Sequence, residues 1–208
     1  EQRKELASPL NTGVFNDMSG AAAQNKISVV GSVLEQRALE VSNSSAFFAP
    51  NGRMLGIYRK IHLFGLMGED KWLQPGNAPL ALDLPWGKSG LAICYDLRFP
   101  ELFRKYAVDG AKMMIVPAEW PIARVEHWRA LVVARAIENQ CYMVVCNAAG
   151  MTGDTQFAGH SMIVDPWGKI VVEGGETPQL LTAEIEMDMV EEIRSQITVF
   201  ADRRAELY

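Results

Sequence analysis

The sequence predicts an α/β fold, and three observations predict it. Short β-branched apolar runs alternate along the chain with stretches of helical period, the order of elements in α/β proteins. Glycine and proline punctuate the boundaries between these runs. The composition, 49% hydrophobic and 22% charged over 208 residues, suits one globular domain (residues 1–208) with a sizeable core.

Composition also narrows the function. Net charge is −5 with acidic and basic residues interspersed, and no Lys/Arg stripe argues for nucleic acid. Every apolar run is interrupted by Lys, Arg, Asp or Gly before it reaches membrane-spanning length. The charged opening, residues 1–4, has no apolar core after it and does not read as a signal peptide. Three cysteines, an odd number without metal-ligand spacing, point to a reducing cytoplasm. Cys141 and Cys146 share one apolar run and read as buried and inert.

Residues 1–10 form a charged lead-in. Thr12 is placed as N-cap of a helix over 13–24, with Val14, Met18 and Ala21/Ala22 on its apolar face. The run 27–34 (ISVVGSVL) predicts a strand buried on both faces. Strands at 43–49 and 54–59 are joined by a Pro50-Asn51-Gly52 turn. Residues 60–76 lack a period and read as a structured loop bearing Lys60, His62, Glu69, Asp70 and Lys71. Strands at 80–84 and 89–94 flank Pro85-Trp86-Gly87. A helix opens at Pro100, turns Leu102, Phe103 and Tyr106 inward and stops at Gly110.

Further on, a strand is expected at 113–116, a loop at 119–124 and the clearest helix at 125–140. Val125, Trp128, Leu131/Val132 and Ala136 repeat there at helical spacing. Arg135 falls on the same stripe, with Glu138 one turn along as a structural ion-pair partner. A buried strand at 142–148, a polar loop at 150–159 and a hairpin of 161–164 with 169–172 around Asp165-Pro166-Trp167-Gly168 follow. The chain closes with a strand at 180–187, a short helix at 189–196 and a charged tail, 200–208, either frayed or laid against a partner subunit.

The stretch 87–101, GKSGLAICYDLRFPE, carries the strongest chemical signal. An apolar run delivers Cys94 to a polar turn just before a proline-led helix, so the sulfur is expected at a strand end near the positive end of a helix, a setting that favours a thiolate. No histidine is adjacent in sequence; His62, His127 and His160 are scattered, and each alone reads as a hydrogen-bonded structural residue. Lys60 and Glu69 alone read as surface residues.

Five segments change that reading: IYRKIHLF (57–64), GED (68–70), GLAICYDLRFPE (90–101), HWRALVVARAIENQCY (127–142) and GHSMIVDPWGKI (159–170). Together they resemble the carbon–nitrogen hydrolase (nitrilase) superfamily, most closely its omega-amidase branch, in the right order from about residue 27 onward. The resemblance implies a four-layer α-β-β-α sandwich. It implies a Cys–Lys–Glu triad in which Cys94 is the nucleophile and Lys60 the lysine, with Glu69 as a supporting glutamate and the Tyr95 backbone N–H as an oxyanion donor. The triad glutamate of the family lies in a Pro-Glu segment after the first strand and helix; the one Pro-Glu here, Pro100-Glu101, belongs to the cysteine motif. The sequence is therefore expected to begin after that first strand and helix.

The segment PAEWP follows a strand parallel to that of Cys94, which makes Glu119 and Trp120 candidate pocket residues. Arg98 and Arg124 are candidates for an anionic substrate. The resemblance implies an amidase acting on a small linear amide such as the omega-amide of a 2-oxo acid (2-oxoglutaramate), through a Cys thioester and with release of ammonia. The alternatives are an N-carbamoyl or nitrile hydrolase of the same family, or a non-catalytic interaction protein that keeps the fold. No metal or organic cofactor is implied. The expected partners are a small-molecule amide and further copies of the chain, in a homodimer or larger homo-oligomer; no nucleic acid or membrane is expected.

Overall fold

The structure, a computed structural model, describes residues 5–207; the opening four residues and Tyr208 at the tip of the tail lie outside it. The described chain divides into two compact units: residues up to Leu82 together with Leu91–Phe99, and Asp83–Gly90 together with residues from 100 onward.

The first unit is a helix on an antiparallel meander. Helix α1 (Gly13–Asn25) precedes strands β1 (Val29–Arg37), β2 (Glu40–Phe48) and β3 (Met54–Arg59), which pair in the order β1–β2–β3. The register runs from Val29 opposite Phe48 to Arg37 opposite Glu40, and from Ser44 opposite Arg59 to Phe48 opposite Met54 across a bulge after Phe47. Alternation sorts the side chains. Ala46 and Phe48 meet Phe15 and Ala22 of α1, with Met18, Val29, Val33, Met54 and Ile57 around them. The same face ends in a polar cluster. Buried Glu35 takes a bidentate grip from Arg59 (2.7 and 2.6 Å) and a bond from the Ser44 hydroxyl (2.7 Å). Tyr58 and Lys60 point the other way. The β2–β3 turn uses Gly52 at φ 81°, which seats its carbonyl on the Ser19 hydroxyl at 2.8 Å.

Three expectations for this unit are corrected. Phe15, not Val14, is the buried residue at the start of α1, and Val14 is exposed, because the helix turns a face one residue on from the one the spacing favoured. Thr12 holds the N-cap position, but its hydroxyl donates back to the Pro9 carbonyl at 2.7 Å instead of capping the helix. Strand β1 is half-buried, not sealed on both faces; it pairs with β2 on one side and is bridged by Ser8 on the other.

A second sheet runs β11–β10–β7–β6–β5–β4. Its strands are β4 (Leu80–Leu84), β5 (Gly87–Leu91), β6 (Met113–Ala118), β7 (Tyr142–Asn147), β10 (Met162–Val164) and β11 (Ile170–Glu173). β6 and β7 are parallel, and β10 is antiparallel to both β7 and β11. Helix α2 (Pro100–Val108) buries Leu102, Phe103 and Tyr106 as expected, and α3 (Val125–Asn139) buries Trp128, Val132 and Ala136. Arg135 is 5% exposed and pairs with Glu138 at 2.9 Å, its guanidinium over the Phe103 ring. The expected structural ion pair is present.

The stretch expected as a polar loop at 150–159 is largely a hairpin of β8 (Ala149–Thr152) and β9 (Thr155–Ala158). Its strands are four residues each and mix small, polar and apolar side chains, too short a run to show an alternation in the sequence. The strand expected at 180–187 has no ladder partner among the described residues: alternation is local, but a strand exists only where another edge accepts it. Cys146 is exposed, against the expectation of a buried thiol, while Cys141 is buried. Among the described residues, no helix is long and apolar enough to cross a membrane.

Helix α4 (Asp188–Gln196) fixes the end of α3 from a distance. Arg194 donates to the carbonyls of Asn139 (3.2 Å) and Gln140 (3.2 Å), groups that the end of α3 leaves without intrahelical partners, and to that of Ala111 (2.7 Å), which follows α2. Phe200 lies under the guanidinium groups of Arg194 and Arg104, so this part of the tail is laid against its own unit. Removing the guanidinium leaves those carbonyls short of a donor. Arg194→Ala is expected to lower stability by about 2 kcal/mol in urea unfolding.

Burial pushes the neighbouring Cys141 thiol up from its ordinary value near 9 to about 12. Between those two values the unfolded chain releases a proton that the folded chain keeps, so stability falls as pH rises through that window. Urea midpoints measured from pH 9 upward are expected to fall less steeply for Cys141→Ala than for the wild-type chain.

Candidate active site

Lys60 stands one residue beyond β3. Its N–H donates to Asn43 at 2.8 Å and extends the β2–β3 ladder by a rung, which keeps its side chain on the face shared with Tyr58. The side chain is 1% exposed. A buried ammonium needs a counter-charge, and Glu69 provides it at 2.5 Å. The same carboxylate oxygen of Glu69 accepts the Phe64 N–H at 2.7 Å. Glu69 arrives from the expected structured loop, which carries two short 3₁₀ turns, Gly65–Met67 and Glu69–Lys71. The loop closes on its own origin: Gly76 N–H donates to the Lys60 carbonyl at 2.8 Å, and Gln74 N–H to Val41 at 2.8 Å. A Cβ at Gly76 would stand 2.1 Å from the Arg59 carbonyl oxygen, so only glycine allows this return.

Cys94 is reached differently from the sequence expectation. β5 ends at Leu91, Ile93 is extended, and Cys94 heads a 3₁₀ turn, Cys94–Arg98, while α2 starts only at Pro100. Cys94 itself is partly exposed and has φ 47°, a left-handed conformation that residues with a side chain rarely take. Such backbone persists only where the surroundings over-determine it, and it clusters at functional sites.

The over-determining group is Asp96, whose side chain is fully buried. One carboxylate oxygen accepts the Ile93 N–H at 2.9 Å and the Tyr58 hydroxyl at 2.8 Å. The other accepts the His62 N–H at 3.0 Å and lies 2.8 Å from His62 Nδ1. The Asp96 N–H in turn donates to the Ile93 carbonyl at 3.0 Å. Aromatic contacts repeat the link. The His62 ring stacks on Phe99 at 3.6 Å and 7°, and the Tyr95 ring meets Phe64 (4.7 Å) and Phe99 (5.3 Å). The segment 58–64, which bears Lys60, is thereby tied to the turn 93–99, which bears Cys94.

Of the residues expected at a site, Cys94, Tyr95, Lys60, Glu69 and Arg98 belong to the first unit, and Arg98 is half-buried at the end of the cysteine turn. Glu119, Trp120 and Arg124 belong to the second. Glu119 is exposed; Trp120 is 3% exposed, donates its indole N–H to the Arg124 carbonyl at 2.8 Å and packs on Trp128. Asn147 holds this turn in place, accepting the Trp120 N–H at 2.6 Å and donating to the Gly159 carbonyl at 2.8 Å. Sequence reasoning missed Asp96, Tyr58 and Asn147, while His62, read as a hydrogen-bonded structural residue, is one. Asp96 stands two residues from an expected site residue, and that spacing was the available signal.

This arrangement combines a cysteine on a strained turn with a buried, carboxylate-paired lysine, the equipment of nucleophilic acyl transfer. Comparison with known proteins agrees. The carbon–nitrogen hydrolase family profile matches residues 4–195. The chain is 43% identical over 180 residues to a 2-oxoglutaramate amidase of Bacillus subtilis, covering 86% of this chain and 70% of that protein. It is 35% identical over 201 residues to the omega-amidase NIT2 of Mus musculus, covering 92% and 73%. The crystal structure of Saccharomyces cerevisiae Nit3, a member of branch 10 of the nitrilase superfamily, superposes with a TM-score of 0.89 at 34% identity, covering 97% of this chain and 76% of that one. With its α/β fold, its cysteine and lysine motifs and these likenesses, the chain belongs to the carbon–nitrogen hydrolase family, whose enzymes cleave carbon–nitrogen bonds other than peptide bonds.

Proposed function

We propose that this protein is an amidase that hydrolyses the terminal amide of a short 2-oxo acid, with 2-oxoglutaramate as the leading substrate. The observation that carries the reading is the sealed Lys60 ammonium, held by Glu69 on the segment that Asp96 ties to the Cys94 turn. The names of the relatives, 2-oxoglutaramate amidase and omega-amidase, support the substrate class.

In this mechanism the Cys94 sulfur attacks the amide carbonyl carbon. The C–S bond forms as the carbonyl π pair moves onto oxygen, and the Lys60 ammonium and the Tyr95 N–H stabilise the oxyanion. Collapse re-forms the carbonyl and breaks the C–N bond. The nitrogen takes up the proton given by the thiol and leaves as ammonia, so a thioester remains on Cys94. Water attacks the thioester, the C–S bond breaks, and the acid and the thiol are regenerated. Glu69 keeps Lys60 oriented through both halves. Proton transfer needs a carboxylate shuttle, a part the family resemblance gives to a glutamate in its Pro-Glu segment.

Arg98, at the end of the cysteine turn, is the residue proposed to bind the rest of the substrate. An arginine suits its carboxylate because the guanidinium offers two parallel donors. The free thiols fit a cytoplasmic setting, and the family resemblance supports a single-domain subunit that assembles as a homodimer.

Ammonia release from 2-oxoglutaramate, an N-carbamoyl amino acid and a nitrile, measured side by side, tests the substrate class. The omega-amide is expected to be turned over fastest, and carbon dioxide release from the carbamoyl compound at a higher rate would overturn the assignment. Lys60→Ala is expected to lose about 10²–10³ in kcat with its circular dichroism unchanged, and Cys94→Ala all turnover. Iodoacetamide followed by peptide mass spectrometry should label Cys94 before the more exposed Cys146 and leave Cys141 unlabelled. Preferential labelling of Cys146 would count against an activated Cys94.

A further inference from the structure

We propose that Asp96 is a positioning residue for the reaction: by accepting hydrogen bonds on both carboxylate oxygens, it sets Cys94 in place relative to Lys60 and locks His62 as the Nδ1–H tautomer. This deepens the amidase reading and rests on it for the kinetic part of the test.

The argument follows from donor and acceptor counts. Two of the groups around Asp96 can only donate, the Ile93 N–H and the His62 N–H, and a third, the Tyr58 hydroxyl, accepts the Ile61 N–H and turns its own hydrogen to the carboxylate. An ionised carboxylate only accepts, so the fourth, His62 Nδ1 at 2.8 Å, must carry a hydrogen. The two oxygens divide the work. Oδ2 takes the residue that precedes the nucleophile and the tyrosine of β3, whereas Oδ1 takes both donors of His62. Each oxygen therefore holds part of the lysine-bearing segment, and Oδ2 also holds the cysteine turn.

No other side chain fits this environment. An asparagine has one accepting oxygen and one donating nitrogen, and in either orientation its NH₂ would face a backbone N–H, that of Ile93 or that of His62. A glutamate is one methylene longer and cannot reach the same four partners from the same backbone. Burial raises the stakes, because an unsatisfied donor in this position cannot turn to water. The strain at Cys94 gives the clamp its consequence. A left-handed cysteine released from its hold relaxes toward ordinary backbone and moves its sulfur, and a displacement of about 1 Å can cost about 10²-fold in rate. His62 acts through Asp96 and through its stack on Phe99, not as a proton carrier.

The test compares Asp96→Asn, Tyr58→Phe, His62→Asn and His62→Leu with the wild-type full chain. Readouts are kcat and KM for the omega-amide, the second-order rate of Cys94 alkylation, the unfolding midpoint, and the ¹⁵N shifts of the His62 ring. Asp96→Asn is expected to lose about 10²-fold in kcat with KM little changed, and to slow Cys94 alkylation. Tyr58→Phe, which removes one donor to Asp96 and the acceptor of the Ile61 N–H but little volume, should move both in the same direction by less. His62→Asn keeps a donor where Nδ1 stood and should stay within about tenfold of wild type, whereas His62→Leu should fall well below it. The wild-type ¹⁵N spectrum should show the Nδ1–H tautomer in the neutral ring.

Folded Asp96→Asn and Tyr58→Phe proteins with wild-type kcat and alkylation rate would overturn the proposal, as would a neutral His62 ring protonated at Nε2. Equal loss in His62→Asn and His62→Leu would overturn the positioning role of His62. Should Asp96→Asn fail to fold, Tyr58→Phe and the histidine spectrum decide alone. A wild-type protein that releases no ammonia from any amide would sink the functional reading, yet alkylation rates and tautomer would still decide on Asp96.

Discussion

A buried carboxylate that faces four hydrogen-bonding groups constrains everything around it. Asp96 binds the chain on both sides of a sequence separation of more than thirty residues, from Tyr58 and His62 to Ile93. Burying a charge is costly unless it is fully hydrogen-bonded, and here each oxygen has two partners. The strained turn at Cys94 follows from that hold. So does the placement of the Lys60 segment, since Tyr58 and His62 lie two residues to either side of the lysine.

The Lys60–Glu69 pair shows the same logic at a second point. A lysine side chain with almost no exposure has its charge matched by a single carboxylate on a loop, and that loop is closed by backbone bonds and by a glycine with no room for a side chain. A pair like this is a weak source of stability, because desolvation offsets much of the Coulomb attraction. In the proposed reaction its value lies in a fixed positive charge that needs no reorganisation when an oxyanion forms. The Glu35–Arg59–Ser44 cluster, on the opposite face of the same meander, steadies the strand end from which Lys60 emerges.

The second unit uses polar side chains for structure. Arg194 satisfies carbonyls at the end of α3, Asn147 pins the turn at Trp120, and Arg135 is neutralised within its own helix by Glu138. Arg135 is a useful contrast to Lys60. Both are buried cations with a carboxylate nearby, but Arg135 lies in the middle of a helix face among aromatic and aliphatic groups, while Lys60 stands at a strand end beside a loop.

The sequence by itself determined the α/β class, the place of the main helices and the β2–β3 turn, and its resemblance to a family marked Cys94, Lys60 and Glu69 as residues to watch. Periodicity, turn chemistry and motif spacing are properties of neighbouring residues, and they survive without a fold. It misjudged the strand at 180–187, the hairpin within 150–159 and the burial of Val14 and Cys146, because pairing and exposure depend on what packs alongside. Only the tertiary structure decided that Asp96, read in sequence as one more polar residue of a turn, would hold the site together. Its partners lie far away along the chain, and a hydrogen bond is settled by distance and direction in space, which no local pattern encodes.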